Sequence, residues 1–151
     1  MADPNPLARE VSAEVPDLEI KSVLLLDDDI ELANTLKALL EMHNYIVTTA
    51  KNGVEGLREV MAIDFDIIMC DMLMPAMPGD MFYLAVERIK PYLCRRFIFL
   101  TGHADNPKVS EFLSKMKAAV LYKPVTNDEL VQTISLVLKR ERSRPPEAAA
   151  E

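Results

Sequence analysis

Between residues 21 and 140 the sequence changes five times from a short apolar run to a longer segment with apolar residues at helical spacing. The runs are SVLLL (22–26), YIVTT (45–49), DIIMC (66–70), FIFL (97–100) and AVLY (119–122). Continuously apolar runs are typical of strands that are covered on both faces, and strands that alternate with helices form parallel sheets. The sequence therefore predicts an α/β fold, a doubly wound parallel sheet of five strands with helices on both faces.

The segments that follow the strands carry helix signals. Asn106 followed by Pro107 is a helix start, and Thr126 with Glu129 forms a capping box. Pro91 ends a helix that Ala85 and Ile89 help to mark. The other apolar stripes are Leu32, Leu36, Leu39 and Leu40; Val54, Leu57 and Val60; Val109, Phe112, Leu113 and Met116; and Leu130, Ile134, Val137 and Leu138.

The 151 residues fit one domain, which we assign to 21–140. Residues 1–20 contain three prolines and no sustained period, so we expect a mobile lead. Residues 141–151 are charged and interrupted by prolines, so we expect a disordered tail.

Composition excludes several classes of function. A net charge of −7 argues against nucleic acid binding, which starts from a basic face. No apolar run is long enough for membrane insertion, and the N-terminus lacks a signal-peptide core. Cys70 and Cys94 form neither a metal-ligand spacing nor a disulfide framework, which favours a reduced, cytoplasmic setting.

The residues that follow the predicted strands carry the chemistry. They are Asp27, Asp28 and Asp29 after the first strand, Asp71 after the third, Thr101 after the fourth and Lys123 after the fifth. In a doubly wound sheet, ligands bind outside the carboxyl ends of the strands. Clustered carboxylates repel one another unless a cation relieves them, and oxygen ligands suit Mg²⁺.

Two further side chains in this set suit phosphoryl transfer. Lys123 supplies a point charge for phosphoryl oxygens, and Thr101 supplies a hydrogen-bond donor. Asp71 is then the natural nucleophile, because a carboxylate can carry a phosphoryl group as an acyl phosphate. Asp29 is better explained as a helix N-terminal residue than as a metal ligand.

Over residues 21–140 the chain resembles the receiver domain of two-component response regulators. The resemblance rests on LLLDDD, IIMCDMLMP, FLTG and YKP in that order, with Met74-Pro75 and Gly79 after the predicted acceptor. It implies a flavodoxin-like strand order of 2-1-3-4-5, a cis Lys123–Pro124 bond and a signalling domain that catalyses only its own phosphorylation and dephosphorylation.

The resemblance also implies a role for each site residue. Asp71 accepts the phosphoryl group from the phosphohistidine of a histidine kinase or a histidine phosphotransfer protein. Thr101 and Lys123 contact that group. Mg²⁺ is held by Asp27, Asp28, Asp71 and the backbone carbonyl of Leu73.

The predicted signalling route departs from the family pattern at Val120. Receivers commonly place Tyr or Phe three residues before the lysine, and its ring moves together with the Thr hydroxyl, here Thr101. Valine is small and stiff at χ1, so it cannot sweep a ring between two positions. We expect the change to pass through the loops after strands three and four, including Met72–Pro78, instead of the face of the fourth helix.

Two other functions stay open on the sequence alone. Asp27-x-Asp29 would make Asp27 the nucleophile of a haloacid-dehalogenase-type phosphatase, and the fold could also serve as a binding module without phosphotransfer. The sequence names no kinase and no target protein, and it does not separate a stand-alone receiver from a piece of a hybrid kinase.

Overall fold

The computed structural model describes residues 20–116 and 118–142. Within them, five parallel strands form one sheet. The strands are β1 (Lys21–Leu26), β2 (Tyr45–Ala50), β3 (Ile67–Asp71), β4 (Phe97–Thr101) and β5 (Ala119–Tyr122). They lie in the order β2-β1-β3-β4-β5, and each neighbouring pair is parallel. The predicted fold class and strand order are therefore confirmed.

In the described part of the chain, five α-helices connect and follow the strands. They are α1 (Ile30–Met42), α2 (Gly53–Ala62), α3 (Gly79–Ile89), α4 (Pro107–Met116) and α5 (Asn127–Arg142), with a 3₁₀ helix at Pro91–Arg96 between α3 and β4. Among the described residues, no helix is long and apolar enough to cross a membrane.

Side-chain caps fix where several helices begin. The carboxylate of Asp29 accepts the Leu32 N–H at 3.1 Å at the start of α1. Asn106 Oδ1 accepts the Lys108 N–H at 2.9 Å before α4, and Thr126 Oγ1 accepts the Glu129 N–H at 3.1 Å before α5. The predicted roles of Asp29, Asn106 and Thr126 are confirmed. By contrast, α3 begins after Pro78, which offers no capping side chain.

The core forms two layers, one on each face of the sheet. One layer joins the sheet to α1 and α5 through Leu36, Leu40, Leu130, Ile134 and Val137. The other joins it to α2, α3 and α4 and contains a cluster of ring contacts among Phe82, Tyr83, Phe97, Phe99 and Phe112. Helix α4 has only two buried residues, Val109 and Leu113, whereas each other α-helix among the described residues has three or four, glycines included.

Several predicted boundaries and core positions were wrong. Strand β3 begins at Ile67, not at Asp66, whose carboxylate accepts the Ser22 N–H at 2.8 Å. The strand also extends one residue further than predicted and includes Asp71. Val54 and Ile89 are exposed, since they lie on the outer sides of α2 and α3.

The last helix extends beyond the predicted end of the domain. Helix α5 continues through Arg142, so Glu141 and Arg142 are helical and do not belong to a disordered tail. Apart from these two residues, the predicted tail lies outside the described residues. So does the predicted lead, apart from Ile20.

Candidate functional site

Three carboxylates meet at the carboxyl ends of β1 and β3. Asp27, Asp28 and Asp71 each offer an oxygen, and these oxygens all lie within 4.8 Å of one another. The register that pairs Leu26 with Cys70 places the next residue of each chain segment, Asp27 and Asp71, side by side. Both of these side chains are buried, whereas Asp28 is exposed. The strand pairing therefore brings the predicted acidic cluster together.

Lys123 reaches this cluster from β5, although β3 and β4 lie between β5 and β1. Its backbone N–H donates to the Thr101 carbonyl at 2.8 Å, and the Lys123–Pro124 peptide bond is cis, as predicted. The ammonium Nζ lies 3.0 Å from Asp27 Oδ2 and 3.4 Å from Asp71 Oδ2. One positive charge thus faces both buried carboxylates.

The electrostatics single out Asp71 within the cluster. Burial, followed by the negative charge of Asp27, raises the pKa of Asp71 to about 6, and the opposing charge of Lys123 does not cancel these effects. Burial disfavours the charged form of Lys123, but its hydrogen bond to Asp27 and the charge of Asp71 outweigh this and raise the pKa of the lysine. Asp71 also has a buried oxygen, Oδ1, with no hydrogen-bond partner among the described residues.

These features fit a divalent cation. A buried carboxylate oxygen without a partner is costly to leave unsatisfied, and a positive ion beside it would remove that cost. The surrounding donors are carboxylates, without His or Cys, which suits Mg²⁺ more than a transition metal. The donor set of Asp27, Asp28 and Asp71 is therefore compatible with the predicted magnesium site.

Thr101 is buried at the last position of β4, beside Lys123. Its Oγ1 accepts the backbone N–H of His103 at 2.9 Å. Because this bond uses the oxygen as an acceptor, the hydroxyl hydrogen can still donate to another group. The sequence could not predict this hydrogen bond, because every residue except proline has a backbone N–H and the identity of His103 is therefore not informative. The His103 side chain itself is exposed.

The remaining candidates have other surroundings. Cys70 is fully buried in the core, and this burial raises the pKa of its thiol well above the usual range, which disfavours the reactive thiolate form. Asp27 accepts the Asp29 N–H at 3.0 Å with Oδ1 and the Lys123 ammonium with Oδ2. Both of its oxygens are thus engaged, which does not favour Asp27 as a phosphatase nucleophile.

The Val120 position is open on one side. A groove of about 210 Å³ runs between β5 and α4, lined by Ala104, Ser110, Leu113, Ser114, Val120 and Tyr122. The Tyr122 side chain is 54% exposed at this groove. Tyr122 pairs with Thr101 across β4 and β5, so the aromatic residue on this strand lies next to the site.

Comparison of sequences shows that this chain is similar to part of several longer regulatory proteins and of a hybrid kinase. The chain is 32% identical over 118 residues to the transcriptional regulatory protein GlrR of Escherichia coli K12, a match that covers 78% of the chain and 26% of that protein. It is 28% identical to hybrid signal transduction histidine kinase D of Dictyostelium discoideum, over 81% of the chain and 8% of that protein. The chain thus spans about a quarter of the length of the first regulators that it matches.

Solved structures and a family model agree with these matches. A CheY-like receiver domain protein from Methanospirillum hungatei superposes with a TM-score of 0.75 at 27% identity, covering 82% of this chain and 98% of that one. Vibrio cholerae CheY4 superposes with a TM-score of 0.72 at 30% identity, covering 80% of this chain and all of that one. The model of the response regulator receiver domain family matches residues 23–135, well over half of the chain. The chain therefore belongs to the response regulator receiver domain family, the signal transduction domain of two-component systems.

Proposed function

We propose that Asp71 of this receiver domain accepts a phosphoryl group from the phosphohistidine of a histidine kinase or a histidine phosphotransfer protein. The observation that carries the proposal is the unpartnered, buried Oδ1 of Asp71, which lies in a carboxylate cluster faced by the Lys123 ammonium. A pKa of about 6 leaves Asp71 mostly ionised at neutral pH, as a nucleophile must be.

The transfer exchanges one bond for another. An Asp71 carboxylate oxygen attacks the phosphorus, the bond from phosphorus to the histidine nitrogen breaks, and the imidazole leaves with the electron pair and takes up a proton. The product is an acyl phosphate on Asp71. Lys123 lies 3.4 Å from the Asp71 carboxylate and neutralises charge on the incoming phosphoryl oxygens, while the Thr101 hydroxyl donates a hydrogen bond to one of them.

Asp27, Asp28, Asp71 and the backbone carbonyl of Leu73 would hold Mg²⁺. When bound, the cation supplies positive charge that neutralises the phosphoryl oxygens during transfer. The contributions of the chain itself are the burial of Asp71, which limits water, and the fixed placement of Asp27 and Asp71 at the ends of two neighbouring strands, where the Lys123 ammonium faces both carboxylates.

The phosphorylated domain would signal by a change of conformation or by docking to a target protein. The matched regulators and the hybrid kinase are all longer than this chain, and a docked target protein or a fused output or kinase domain would receive the signal. No comparable observation supports the phosphatase or the binding module, because neither function requires a buried Asp71 carboxylate that faces the Lys123 ammonium.

Labelling with a small phosphodonor tests the proposal. Wild-type protein incubated with phosphoramidate and Mg²⁺ should gain one phosphoryl group at Asp71, located by mass spectrometry of reduced peptides, and EDTA should prevent it. Asp71→Asn should abolish labelling, and Asp29→Asn, a change just outside the cluster, should preserve it. Labelling of Asp27 would instead support the phosphatase reading, and labelling of neither residue would support the binding module.

A further inference from the structure

The loop that connects β3 to α3 is seated on the first residue of α2. If Gly53 carried a Cβ atom, that atom would lie 2.7 Å from Cγ and from Sδ of Met77, and 2.8 Å from Cβ of Met77. These distances are shorter than real side chains allow. Met77 therefore covers Gly53 so closely that only glycine fits below it.

The same loop carries part of the candidate metal site. It begins after Asp71, contains Leu73, whose carbonyl is a predicted ligand, and ends at Gly79. At its base, the Gly79 N–H donates to the Met72 carbonyl at 3.0 Å, and a methyl group on Gly79 would lie 2.5 Å from the Asp71 carbonyl oxygen. The base is thus fixed against β3.

The tip of the loop has a local constraint of its own. The Met77 N–H donates to the Pro75 carbonyl at 2.7 Å, and this closes a three-residue turn around Ala76, which has φ 68°. Alanine is strained in this left-handed region, so the turn persists only where its surroundings hold it. The contact of Met77 with Gly53 is one such restraint.

The other side of this contact leads back to Asp27. The Asp27 N–H donates to the Ala50 carbonyl at 3.2 Å, at the end of β2. Two residues later Asn52 caps α2 by accepting the Glu55 N–H at 2.9 Å, and Gly53 follows directly. The segment that bears Gly53 is therefore anchored beside one buried carboxylate, while Met77 belongs to the loop that follows the other.

We infer that Met77 and Gly53 are positioning residues that hold the Leu73 carbonyl and Asp71 in register with Asp27 for cation binding. The inference rests on the proposed function, because it concerns the same magnesium site. Neither residue is a predicted ligand of the cation or a predicted contact of the phosphoryl group. Their contact links the segments that follow the two buried carboxylates. On one side, Asp27 is hydrogen-bonded to Ala50, three residues before Gly53. On the other side, Met77 belongs to the loop that follows Asp71.

Gly53→Ala is the direct test. Since Cβ of Met77 is itself within 2.8 Å of the added methyl, rotation of the Met77 side chain cannot relieve the overlap and the loop backbone must move. We expect the Mg²⁺ affinity, measured by amide chemical-shift titration, to fall about tenfold, as when groups that orient metal ligands are changed. Met77→Ala should weaken binding less, and the double variant should bind about as weakly as Gly53→Ala, because the Cβ atom retained at position 77 still overlaps the methyl added at Gly53.

Gly56→Ala is the matched control on the same helix. Its methyl group would lie 2.4 Å from Leu26 Cδ2 and 3.0 Å from Phe82 Cε1, in the core and away from the loop. It should lower the free energy of unfolding without changing the Mg²⁺ affinity of the folded protein. A readout that needs no metal is hydrogen exchange of the Gly79 N–H, which Gly53→Ala should accelerate at least several-fold relative to Gly56→Ala.

The outcomes separate this inference from the proposed function. If wild-type protein binds Mg²⁺ and Gly53→Ala and Met77→Ala bind it equally well, the positioning role is wrong and the function stands. An equal loss of affinity in Gly56→Ala would also overturn the positioning role. If wild-type protein binds no Mg²⁺, the proposed site fails, and unchanged Gly79 exchange in Gly53→Ala would then reject the positioning role as well. Should Gly53→Ala not fold, Met77→Ala decides.

Discussion

The ammonium group of Lys123 lies 3.0 Å from Oδ2 of Asp27, a residue 96 positions earlier in the chain. A lysine and a divalent cation would compete for this carboxylate. We expect Lys123→Met to bind Mg²⁺ several-fold more tightly, while its labelling by phosphoramidate becomes slower because the phosphoryl oxygens lose a positive partner. In magnesium-free buffer, urea unfolding should show a loss of about 3 kcal/mol, since the buried Asp27 then lacks its counter-charge. Weaker Mg²⁺ binding by Lys123→Met would contradict this competition.

Asp28 and Asp29 are neighbours with opposite expected phenotypes. Asp28 is the exposed member of the acidic cluster, so Asp28→Ala should weaken Mg²⁺ binding at least tenfold and leave stability unchanged or slightly raised, because like-charge repulsion decreases. Asp29→Ala should instead cost about 1 kcal/mol of stability through loss of the α1 cap and retain the metal affinity. Mg²⁺ titration and urea unfolding of both variants check the pair, and a reversed pattern would refute the assignments.

The raised pKa of Asp71 predicts a pH dependence of stability. Between pH 4 and pH 6 the folded protein holds a proton on Asp71 that the unfolded chain has released, so the free energy of unfolding falls as the pH rises through this window. The loss is at most about 3 kcal/mol. Urea unfolding with a chelator present at several pH values measures it. Because other acids titrate there too, the telling quantity is the difference from Asp71→Asn, whose pH slope should be less negative. Parallel curves for the two proteins would rule this out.

Ala76 is expected to be a site of removable strain. Its φ of 68° suits glycine, so Ala76→Gly should raise the free energy of unfolding by up to about 1 kcal/mol, after the greater chain entropy of glycine is counted. Ala38→Gly, on the exposed side of α1, should lower it by about 1 kcal/mol and serves as the control. A loss of stability in both variants would mean that the turn does not strain Ala76.

The signal route is testable by chemical-shift mapping with and without beryllofluoride and Mg²⁺. Val120 has no ring to move, so we expect large amide shifts in Met72–Pro78 and smaller ones in α4. A movement of α4 would instead change the amide shifts of residues that line the groove between α4 and β5, including the exposed Tyr122. Shifts across residues 105–122 equal to those at the Asp71 loop would reject the loop route.

The sequence predicts the five strands and the polar residues at their carboxyl ends because both depend on short-range signals, whereas the strand order was implied only by the resemblance to receiver domains. Apolar runs identify buried strands, and polar residues at strand ends can meet only at one edge of a parallel sheet. Asp71 and Thr101 were placed one residue beyond their strands, since polar side chains look like loop residues even where their backbone still pairs with a neighbouring strand.

Other features depend on contacts between distant segments, which residue type alone does not encode. The residues MPAMPG (74–79) do not predict that the backbone of Ala76 adopts a positive φ, or that Met77 packs on Gly53. Ile89 fits a helical stripe but faces outward, because the 3₁₀ helix that follows α3 supplies the buried Leu93 instead. These positions require the packed structure.

The strand order has a consequence for the protein during its synthesis. β1 is made first, but it lies inside the finished sheet, between β2 and β3, and β5 at the far edge is made last. A domain with such non-local pairing folds late relative to its translation. A nascent chain that stops short of residue 123 holds the acidic residues but not the lysine, so competence to accept a phosphoryl group should arise only when nearly the whole domain has left the ribosome.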